Sequence, residues 1–300
     1  MLNPLKKRAS ARNIVTKLPA ASKLTNKPVI HFAHANGVPS AVYAPLFAVL
    51  EDTYTIEYVP LLGPNPDYPV DNHWHALTEQ VINSVRQACS KHGVSQVIGL
   101  GHSLGALCTL QATYRRPELF TRVLLMDPPW VYGKDSFIWH MAKLGDRLPK
   151  MNHRLMDKMS PANMSKRRRD TWNTREEAYE QLRDKGIFKH FDERCFQGYI
   201  DHGLTDCEDG SVTLTIPKAD EVAIFRTNPS WYWLKPNKPP KVPVKLIIAE
   251  DGIFIKRKFP QKINKRLGID YEIHPGGHMF PLEQPEAVAK RIKQLLAATN

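Results

Sequence analysis

The sequence of 300 residues lacks the features that mark membrane, secreted and nucleic-acid-binding proteins. No apolar run approaches the roughly 18 residues that a transmembrane helix needs. The first residues are basic, but they lack the continuous apolar segment of a secretory signal. We find no internal repeat, no low-complexity segment and no basic motif with interleaved aromatic residues. These absences favour a globular protein, which we expect to be cytoplasmic.

Cysteine is also scarce. The chain has four cysteines, far apart and without CxxC or zinc-like spacing: Cys89, Cys108, Cys195 and Cys207. Unpaired cysteines at irregular spacing are typical of a reducing compartment. We therefore expect four free thiols, and we predict neither a metal nor a cofactor.

Acidic residues are fewer than basic ones. The sequence has 42 Lys and Arg but 30 Asp and Glu, which gives a formal net charge of +12. Much of the excess lies in residues 1–27 and 256–266. Such an excess favours anionic partners, although solvated basic faces are the simpler interpretation. We predict no nucleic-acid partner and leave contact with a membrane surface open. The basic run 166–169 is interpreted as a solvated helix face rather than a site for a substrate carboxylate or phosphate.

Short apolar runs alternate with amphipathic stretches along much of the chain. They predict strands at 28–33, 53–59, 96–100, 122–126, 244–249 and 270–273, and helices at 73–91, 104–114 and 285–297. This alternation is typical of an α/β protein with a mostly parallel central sheet and helices on both faces.

The pattern changes between residues 131 and 240, where helical periods prevail around one alternating run at 212–216. We predict a basic, loosely ordered tail of residues 1–27, an α/β core of residues 28–130 and 241–300, and a largely helical cap of residues 131–240. Several large side chains of this cap could line an acyl pocket, but most are expected to form the cap's own core: Trp130, Phe137, Trp139, Met141, Phe188, Phe191, Phe196, Trp231 and Trp233.

Ser103 lies in the pentapeptide Gly101-His102-Ser103-Leu104-Gly105, between a predicted strand and a predicted helix. Gly-x-Ser-x-Gly in this context is typical of a nucleophile elbow, a tight turn that presents the serine hydroxyl above a sheet. The glycines leave room where a Cβ would collide with neighbouring backbone. Ser103 is therefore the predicted nucleophile.

A serine hydroxyl needs a base to attack at neutral pH. Position selects His278 among the 12 histidines, because it follows the last predicted strand in a Gly-Gly-His turn and precedes the last helix. His274 is close by, but it ends the strand and lacks the glycine turn.

At this point the chain resembles the α/β-hydrolase superfamily. The resemblance rests on Gly101–Gly105, the loop His34–Pro39, Asp127, and Gly277-His278 followed by residues 281–285. It implies the α/β-hydrolase fold with the cap inserted after strand 6 of that fold. The placement of Asp127 is similar to that of the acid in haloalkane dehalogenases, but those enzymes use an aspartate nucleophile, so their chemistry is not implied. The resemblance to capped serine esterases and lipases is greater.

The resemblance implies an acid that orients the histidine, and two aspartates compete for this role. Asp127 directly follows the sixth strand of the fold. Asp251 lies after the seventh, one residue short of the usual position. We favour Asp127 because of that mismatch.

The resemblance also implies an oxyanion hole made of two backbone amides. One is predicted to be that of Leu104, the residue after the nucleophile, and the other that of Asn36, with Gly37 as the alternative.

Together these residues predict a serine hydrolase that cleaves a carboxylic ester, lipase-like or esterase-like, through an acyl-enzyme and without a cofactor. The same triad serves thioester, amide and carbon–carbon bond hydrolysis, and a ligand-binding protein on a hydrolase scaffold is the alternative from another class. The predicted partner is a small-molecule or lipid ester.

Overall fold

The computed structural model describes residues 27–148 and 150–298. The predicted loosely ordered tail therefore lies outside the described residues, apart from Lys27. Within these ranges the chain forms nine strands: β1 (Val29–Ala33), β2 (Thr55–Tyr58), β3 (Val97–His102), β4 (Phe120–Met126), β5 (Thr171–Trp172), β6 (Leu204–Asp206), β7 (Val212–Leu214), β8 (Val244–Ala249) and β9 (Asp270–His274).

The same ranges contain thirteen α-helices. They are α1 (Ala44–Leu50), α2 (His75–His92), α3 (Leu104–Arg115), α4 (Lys134–Gly145), α5 (Arg154–Met159), α6 (Ala162–Arg167), α7 (Arg175–Leu182), α8 (Glu193–His202), α9 (Lys218–Thr227), α10 (Ile253–Lys256), α11 (Phe259–Leu267), α12 (Phe280–Glu283) and α13 (Pro285–Ala297). None of these helices has the length and apolar character needed to pass through a bilayer.

Six strands form the central sheet, in the order β2-β1-β3-β4-β8-β9, and every pairing is parallel. Alternate residues of a strand point to opposite faces. Leu124 and Met126 accordingly pack in one core with α1, α8 and α13, whereas Val123 and Leu125 pack in the other with α2, α3 and α11. The predicted parallel sheet with helices on both faces is confirmed.

The segment between β4 and β8, here called the insertion (residues 127–243), carries α4 to α9 and a three-stranded sheet in the order β5-β7-β6. The insertion follows β4, which is the fourth strand of the described residues and corresponds to strand 6 in the usual numbering of the fold. The alternating run at 212–216 forms β7, which pairs antiparallel with β5 and β6. The insertion packs on the core through α8, whose Phe196 and Tyr199 share a buried cluster with Phe32 of β1.

The large side chains of the insertion differ in burial, and Trp139 and Trp231 are half-buried. Trp130, Phe188, Phe191 and Phe196 are buried, but in the two clusters that also contain residues of the central sheet rather than in a separate core of the cap. Phe137, Met141 and Trp233 are instead 44%, 48% and 43% exposed. The four cysteines, all within the described residues, are free thiols as expected.

Candidate active site

Ser103 occupies the turn between β3 and α3 with φ +53° and ψ −117°. Positive φ is uncommon for a residue with a side chain, so this turn stores backbone strain. Two hydrogen bonds hold it: the Ser103 amide donates to the Met126 carbonyl (2.9 Å), and the Ser103 carbonyl accepts from the Leu107 amide (3.2 Å). The serine is thereby fixed at the carboxyl edge of the sheet, next to the end of β4.

The glycines on either side of Ser103 permit close approach of the backbone. A Cβ on Gly105 would lie 2.2 Å from the carbonyl carbon and oxygen of Ala33. A Cβ on Gly101 would lie 2.6 Å from Ala106 Cα. Both contacts are with rigid backbone, so no side-chain movement relieves them. Crowding of β1, β3 and α3 therefore explains the Gly-x-Ser-x-Gly pattern.

The structure brings Ser103, His278 and Asp127 into one hydrogen-bonded chain. His278 Nε2 lies 2.9 Å from Ser103 Oγ, and His278 Nδ1 lies 2.6 Å from Asp127 Oδ2. Because a carboxylate oxygen only accepts, Nδ1 carries the proton and Nε2 is free to accept the serine proton. The His278 side chain is 38% exposed, whereas that of Asp127 is 1% exposed.

Asp127 is held by both β4 and β8. Its backbone adopts φ +40°, and its amide donates to the Ile247 carbonyl (2.8 Å). Its Oδ1 accepts from the Ala249 amide at 3.1 Å, which leaves Oδ2 for His278. The carboxylate is thus fixed by one oxygen and orients the imidazole with the other.

The competing residues lie elsewhere. Asp251 is exposed, and its backbone amide donates to the Gly276 carbonyl at 3.2 Å. His274 donates from Nδ1 to the Pro275 carbonyl (2.8 Å) and stacks on Phe280 with ring centroids 4.6 Å apart. Neither side chain belongs to the hydrogen-bonded chain of Ser103.

The loop after β1 is packed directly on the nucleophile turn. The His34 carbonyl accepts from the Gly105 amide at 2.9 Å, and the Val38 amide closes a turn on the Ala35 carbonyl at 3.2 Å. Gly37 stands in this turn at φ +75°, a conformation that favours glycine. Leu104 is the first residue of α3, where amides have no partner within the helix. The roles of the Asn36 and Leu104 amides in an oxyanion hole stay predictions.

Two buried histidines, His34 and His102, lie next to this loop. His34 donates from Nδ1 to the Ala35 carbonyl (2.7 Å), and its Nε2 accepts from the Leu62 amide (2.7 Å). Burial lowers the pKa of His34 to about 4, so the imidazole is neutral at pH 7. Burial also lowers the pKa of His102 well below its usual value, and the neighbouring His278 acts in the same direction.

Sequence reasoning missed a network built around His102. Its Nε2 donates to the His278 carbonyl (2.9 Å). In this tautomer its Nδ1 carries no proton and accepts from the Tyr43 hydroxyl (2.7 Å). The Tyr43 oxygen in turn accepts from the Ala35 amide (3.3 Å). Tyr43 and His102 are wholly buried. The network links the turns that carry Ser103, His278 and Asn36. The histidine before the serine was visible in the sequence, but nothing in the pattern indicated its partners.

The insertion reaches the Asn36 loop through Glu221 of α9. Asn36 Nδ2 donates to the Glu221 carbonyl (3.1 Å), and a Cβ on Gly37 would lie 3.2 Å from the Glu221 carboxylate. That carboxylate is buried, accepts from Ser165 Oγ at 2.6 Å and pairs with Arg168 at 3.1 Å.

Arg168 also donates to the Tyr199 hydroxyl at 3.0 Å. The interpretation of 166–169 as a solvated face is therefore wrong for Arg168, because the buried carboxylate of Glu221 needs a cation beside it.

Within residues 27–148 and 150–298, no three His, Cys, Asp or Glu side chains are grouped in a way that could hold a metal ion. The groups collected at Ser103 are instead a hydroxyl, an imidazole and a carboxylate. This set suits covalent catalysis by an activated serine.

The fold and this site define an α/β protein with a serine at the carboxyl edge of a parallel sheet. The family model described as "Alpha/beta hydrolase family" matches residues 32–291. The chain belongs to the α/β-hydrolase family. A comparison with curated proteins found no match.

Solved structures of similar fold include several hydrolases. The peroxisomal alpha-beta-hydrolase Lpx1 from Saccharomyces cerevisiae has a TM-score of 0.68 at 15% identity, over 94% of this chain and 79% of that one. E-2-(acetamidomethylene)succinate hydrolase has a TM-score of 0.67 at 17% identity, over 91% and 92%. A marine microorganism esterase has a TM-score of 0.60 at 16% identity, over 91% and 96%. At these identities the likeness concerns the fold.

Proposed function

We propose that the chain is a serine hydrolase that cleaves carboxylic esters through an acyl-enzyme intermediate. The observation that carries this proposal is the hydrogen-bonded chain Ser103 Oγ, His278 Nε2, His278 Nδ1 and Asp127 Oδ2, with distances of 2.9 and 2.6 Å. In this geometry one nitrogen of the imidazole faces the hydroxyl and the other is anchored by a carboxylate, as a general base requires.

Each residue of the chain has one role in the proposed reaction. Ser103 Oγ attacks the acyl carbon while His278 Nε2 takes its proton, and His278 then returns that proton to the departing alcohol. Asp127 holds the tautomer and stabilises the imidazolium. The amides of Leu104 and Asn36 donate to the oxyanion. Water deprotonated by His278 then releases the acid and restores Ser103.

We further propose that residues 131–240 act as a cap that shapes the acyl pocket. The contact of Asn36 with Glu221 places part of this segment beside the predicted oxyanion loop. From α10 of the core, the Phe254 ring lies 6.1 Å from the His278 ring. Apolar and aromatic walls with a few fixed polar groups are typical of small-molecule sites.

An ester is proposed because two esterases are among the similar structures, where a thioesterase domain is found as well. Thioester, amide and carbon–carbon bond cleavage would use the same steps with a different leaving group. A panel of substrates that share one acyl group and differ in the leaving group would separate these reactions.

The test is exposure to a fluorophosphonate, followed by intact mass, alongside p-nitrophenyl esters of graded acyl length. We expect one covalent adduct on Ser103 and ester turnover. Ser103→Ala should lose both while its unfolding transition stays that of the wild type. Turnover by that variant would refute the nucleophile. Absence of both adduct and turnover in the wild type would favour the ligand-binding alternative.

A further inference from the structure

Helix α4 exposes a row of large apolar side chains to solvent. Ile138, Met141 and Leu144 are 54%, 48% and 47% exposed, and Leu148, just beyond the helix, is 62% exposed. The row extends to the loop before β8 through Phe137, whose ring packs edge-on against Trp233 at 5.2 Å. A contiguous apolar surface of this kind marks an interaction site more often than a free face.

A cationic cavity of about 220 Å³ opens beside this row. Its lining includes Lys143 and Arg147 of the α4 segment, Arg226 of α9, and the histidines His140 and His153. Lys143 donates to the carbonyls of Thr227 (3.1 Å) and Asn228 (2.8 Å) at the end of α9. A protonated amine has three N–H groups, so one is left for a ligand.

The acidic groups near this cavity are engaged with other partners. Asp146, which also lines it, accepts from the Leu155 amide (3.0 Å) and the Met156 amide (2.7 Å) at the start of α5. Asp157 pairs with Arg226 through both oxygens, at 2.7 and 2.8 Å. Lys143 and Arg147, four residues apart, repel each other. The negative charge of Asp71 acts on Lys143 in the opposite direction, and Asp146 lines the same cavity.

The positive charge of Arg147 disfavours the protonated form of Lys143. Burial, together with the Arg147 guanidinium, lowers the pKa of Lys143 to about 7. An anion in the cavity would relieve both effects by favouring the charged amine.

The apolar row and the cavity share one helix edge. At 100° per residue, positions 137, 141 and 144 of α4 fall on one side of the helical wheel, and positions 140 and 143 fall on the adjoining side. Arg147 and Leu148 follow just beyond the end of the helix. Leu144 belongs to both, since it lines the cavity and is exposed. The surface thus presents apolar side chains next to a pocket for an anion. Phospholipids combine the same two features, an anionic headgroup beside apolar chains.

We propose that this surface, formed by α4, Leu148, Trp233 and the adjoining cavity, docks the protein on an anionic phospholipid membrane. Ile138, Met141 and Leu148 enter the headgroup boundary, and a headgroup phosphate enters the cavity beside Lys143 and Arg147. Lys134 at the start of α4 and Lys235 after Leu234 are exposed and add positive charge near the ends of these segments. The association is peripheral, and it does not depend on the proposed esterase activity.

Vesicle flotation of the full chain tests the proposal. The probes are vesicles of phosphatidylcholine alone and vesicles that also contain phosphatidylglycerol. We expect binding to the second kind only. Arg147→Gln should weaken the partition coefficient roughly fivefold, since one basic side chain near an anionic surface contributes about that factor. The double variant Ile138→Ser, Leu148→Ser should weaken it at least as much, because both side chains are solvent-exposed and burying them in lipid is favourable.

Matched controls separate this surface from general charge and general apolarity. Arg167→Gln removes an exposed arginine of α6, and Ile273→Ser removes an exposed isoleucine of β9 that is 51% exposed. Both should bind vesicles as the wild type does. The basic residues of 1–27 and 256–266 are present in every variant. Vesicle binding that neither Arg147→Gln nor the double variant weakens would belong to such residues and would overturn the proposal.

Two further results would also overturn it. One is binding of inorganic phosphate without binding to either kind of vesicle, which would make the cavity a site for a free ion. The other is self-association that the double variant abolishes, again without vesicle binding, which would assign the apolar row to a second copy of the chain.

Discussion

The two oxygens of Asp127 have different partners, and this difference predicts the effect of removing the charge. In the wild type the Ala249 amide donates to Asp127 Oδ1 at 3.1 Å. In Asp127→Asn, the side-chain oxygen must therefore face this amide. The Asn amino group then faces His278 Nδ1 and donates to it. His278 is thereby driven into the tautomer with the proton on Nε2, which cannot accept from Ser103. We expect kcat to fall on the order of 10⁴-fold, measured with a p-nitrophenyl ester.

The matched control is Asp251→Asn. Asp251 is exposed and engages its neighbours through its backbone, so kcat should remain within about threefold of the wild type. If Asp251→Asn costs more activity than Asp127→Asn, the acid has been assigned to the wrong residue.

The Tyr43 hydroxyl is a structural link whose loss should be visible in stability. Tyr43→Phe keeps the ring but leaves the Ala35 amide and His102 Nδ1 without their hydroxyl partner in a buried place. We expect the free energy of unfolding in urea to fall by about 1–3 kcal/mol. Tyr58→Phe is the control, because Tyr58 is 38% exposed and its stacking on Phe47 is retained. Equal effects of the two substitutions would contradict a role for this hydrogen-bond network.

At the scale of elements, the contact of β1 with α3 leaves no room at Gly105. A methyl group there would lie 2.2 Å from the Ala33 carbonyl, so either α3 or the loop after β1 must move. We expect Gly105→Ala to lower the free energy of unfolding by several kcal/mol or to prevent folding. Gly198→Ala is the control within α8, where the nearest backbone atom would be at 3.5 Å. It should be neutral or stabilising by up to about 1 kcal/mol. A soluble Gly105→Ala with wild-type stability would show that the turn tolerates the shift.

The elements that could be predicted from the sequence are those whose pattern is local. β8 is a buried apolar run, α13 has an unbroken helical period, and the predicted bounds of both agree with the structure. The geometry around Ser103 depends on contacts between distant positions. Tyr43 meets His102 across 59 residues, and His102 meets the His278 carbonyl across 176.

The prediction of a solvated side chain is wrong for Arg168 for the same reason. Its partner Glu221 lies on α9, distant in sequence. The basic neighbours of Arg168 in sequence are exposed, whereas Arg168 itself is half-buried. The cytoplasmic location, the cap boundaries at 131 and 240, and the oxyanion donors stay predictions.

At the scale of the whole molecule, several histidines are enclosed in the core in their neutral form. His31 and His34 are wholly buried, and burial lowers the pKa of each to about 4. Burial also lowers the pKa of His102 and brings that of His73 to about 3. In the unfolded chain a histidine titrates near pH 6.5. Between pH 6.5 and 4 the unfolded chain therefore binds protons that the folded protein does not.

The sign of the resulting pH dependence follows from this difference. Because the unfolded state binds more protons, the free energy of unfolding must fall as the pH drops from 6.5 to 4. His31 and His34 should each contribute a loss of about 3 kcal/mol over that range, and below pH 4 their contribution should level off. Carboxylates whose pKa is lowered by an arginine, such as Asp157 and Glu272, lose their contribution mainly below this range.

Urea unfolding at a series of pH values between 7 and 4.5 measures this effect as protons taken up on unfolding. We expect an uptake of at least two protons near pH 5, and His31→Gln should reduce this uptake by about one proton. Glutamine is chosen because it can still bond to Ser84 Oγ, which lies 2.8 Å from His31 Nε2 in the wild type. A stability that stays constant from pH 6.5 to 4.5 would mean that the buried histidines accept protons without unfolding. His102 could then not keep the neutral tautomer that bonds Tyr43 and the His278 carbonyl, and ester turnover should decline over the same range while the fold persists.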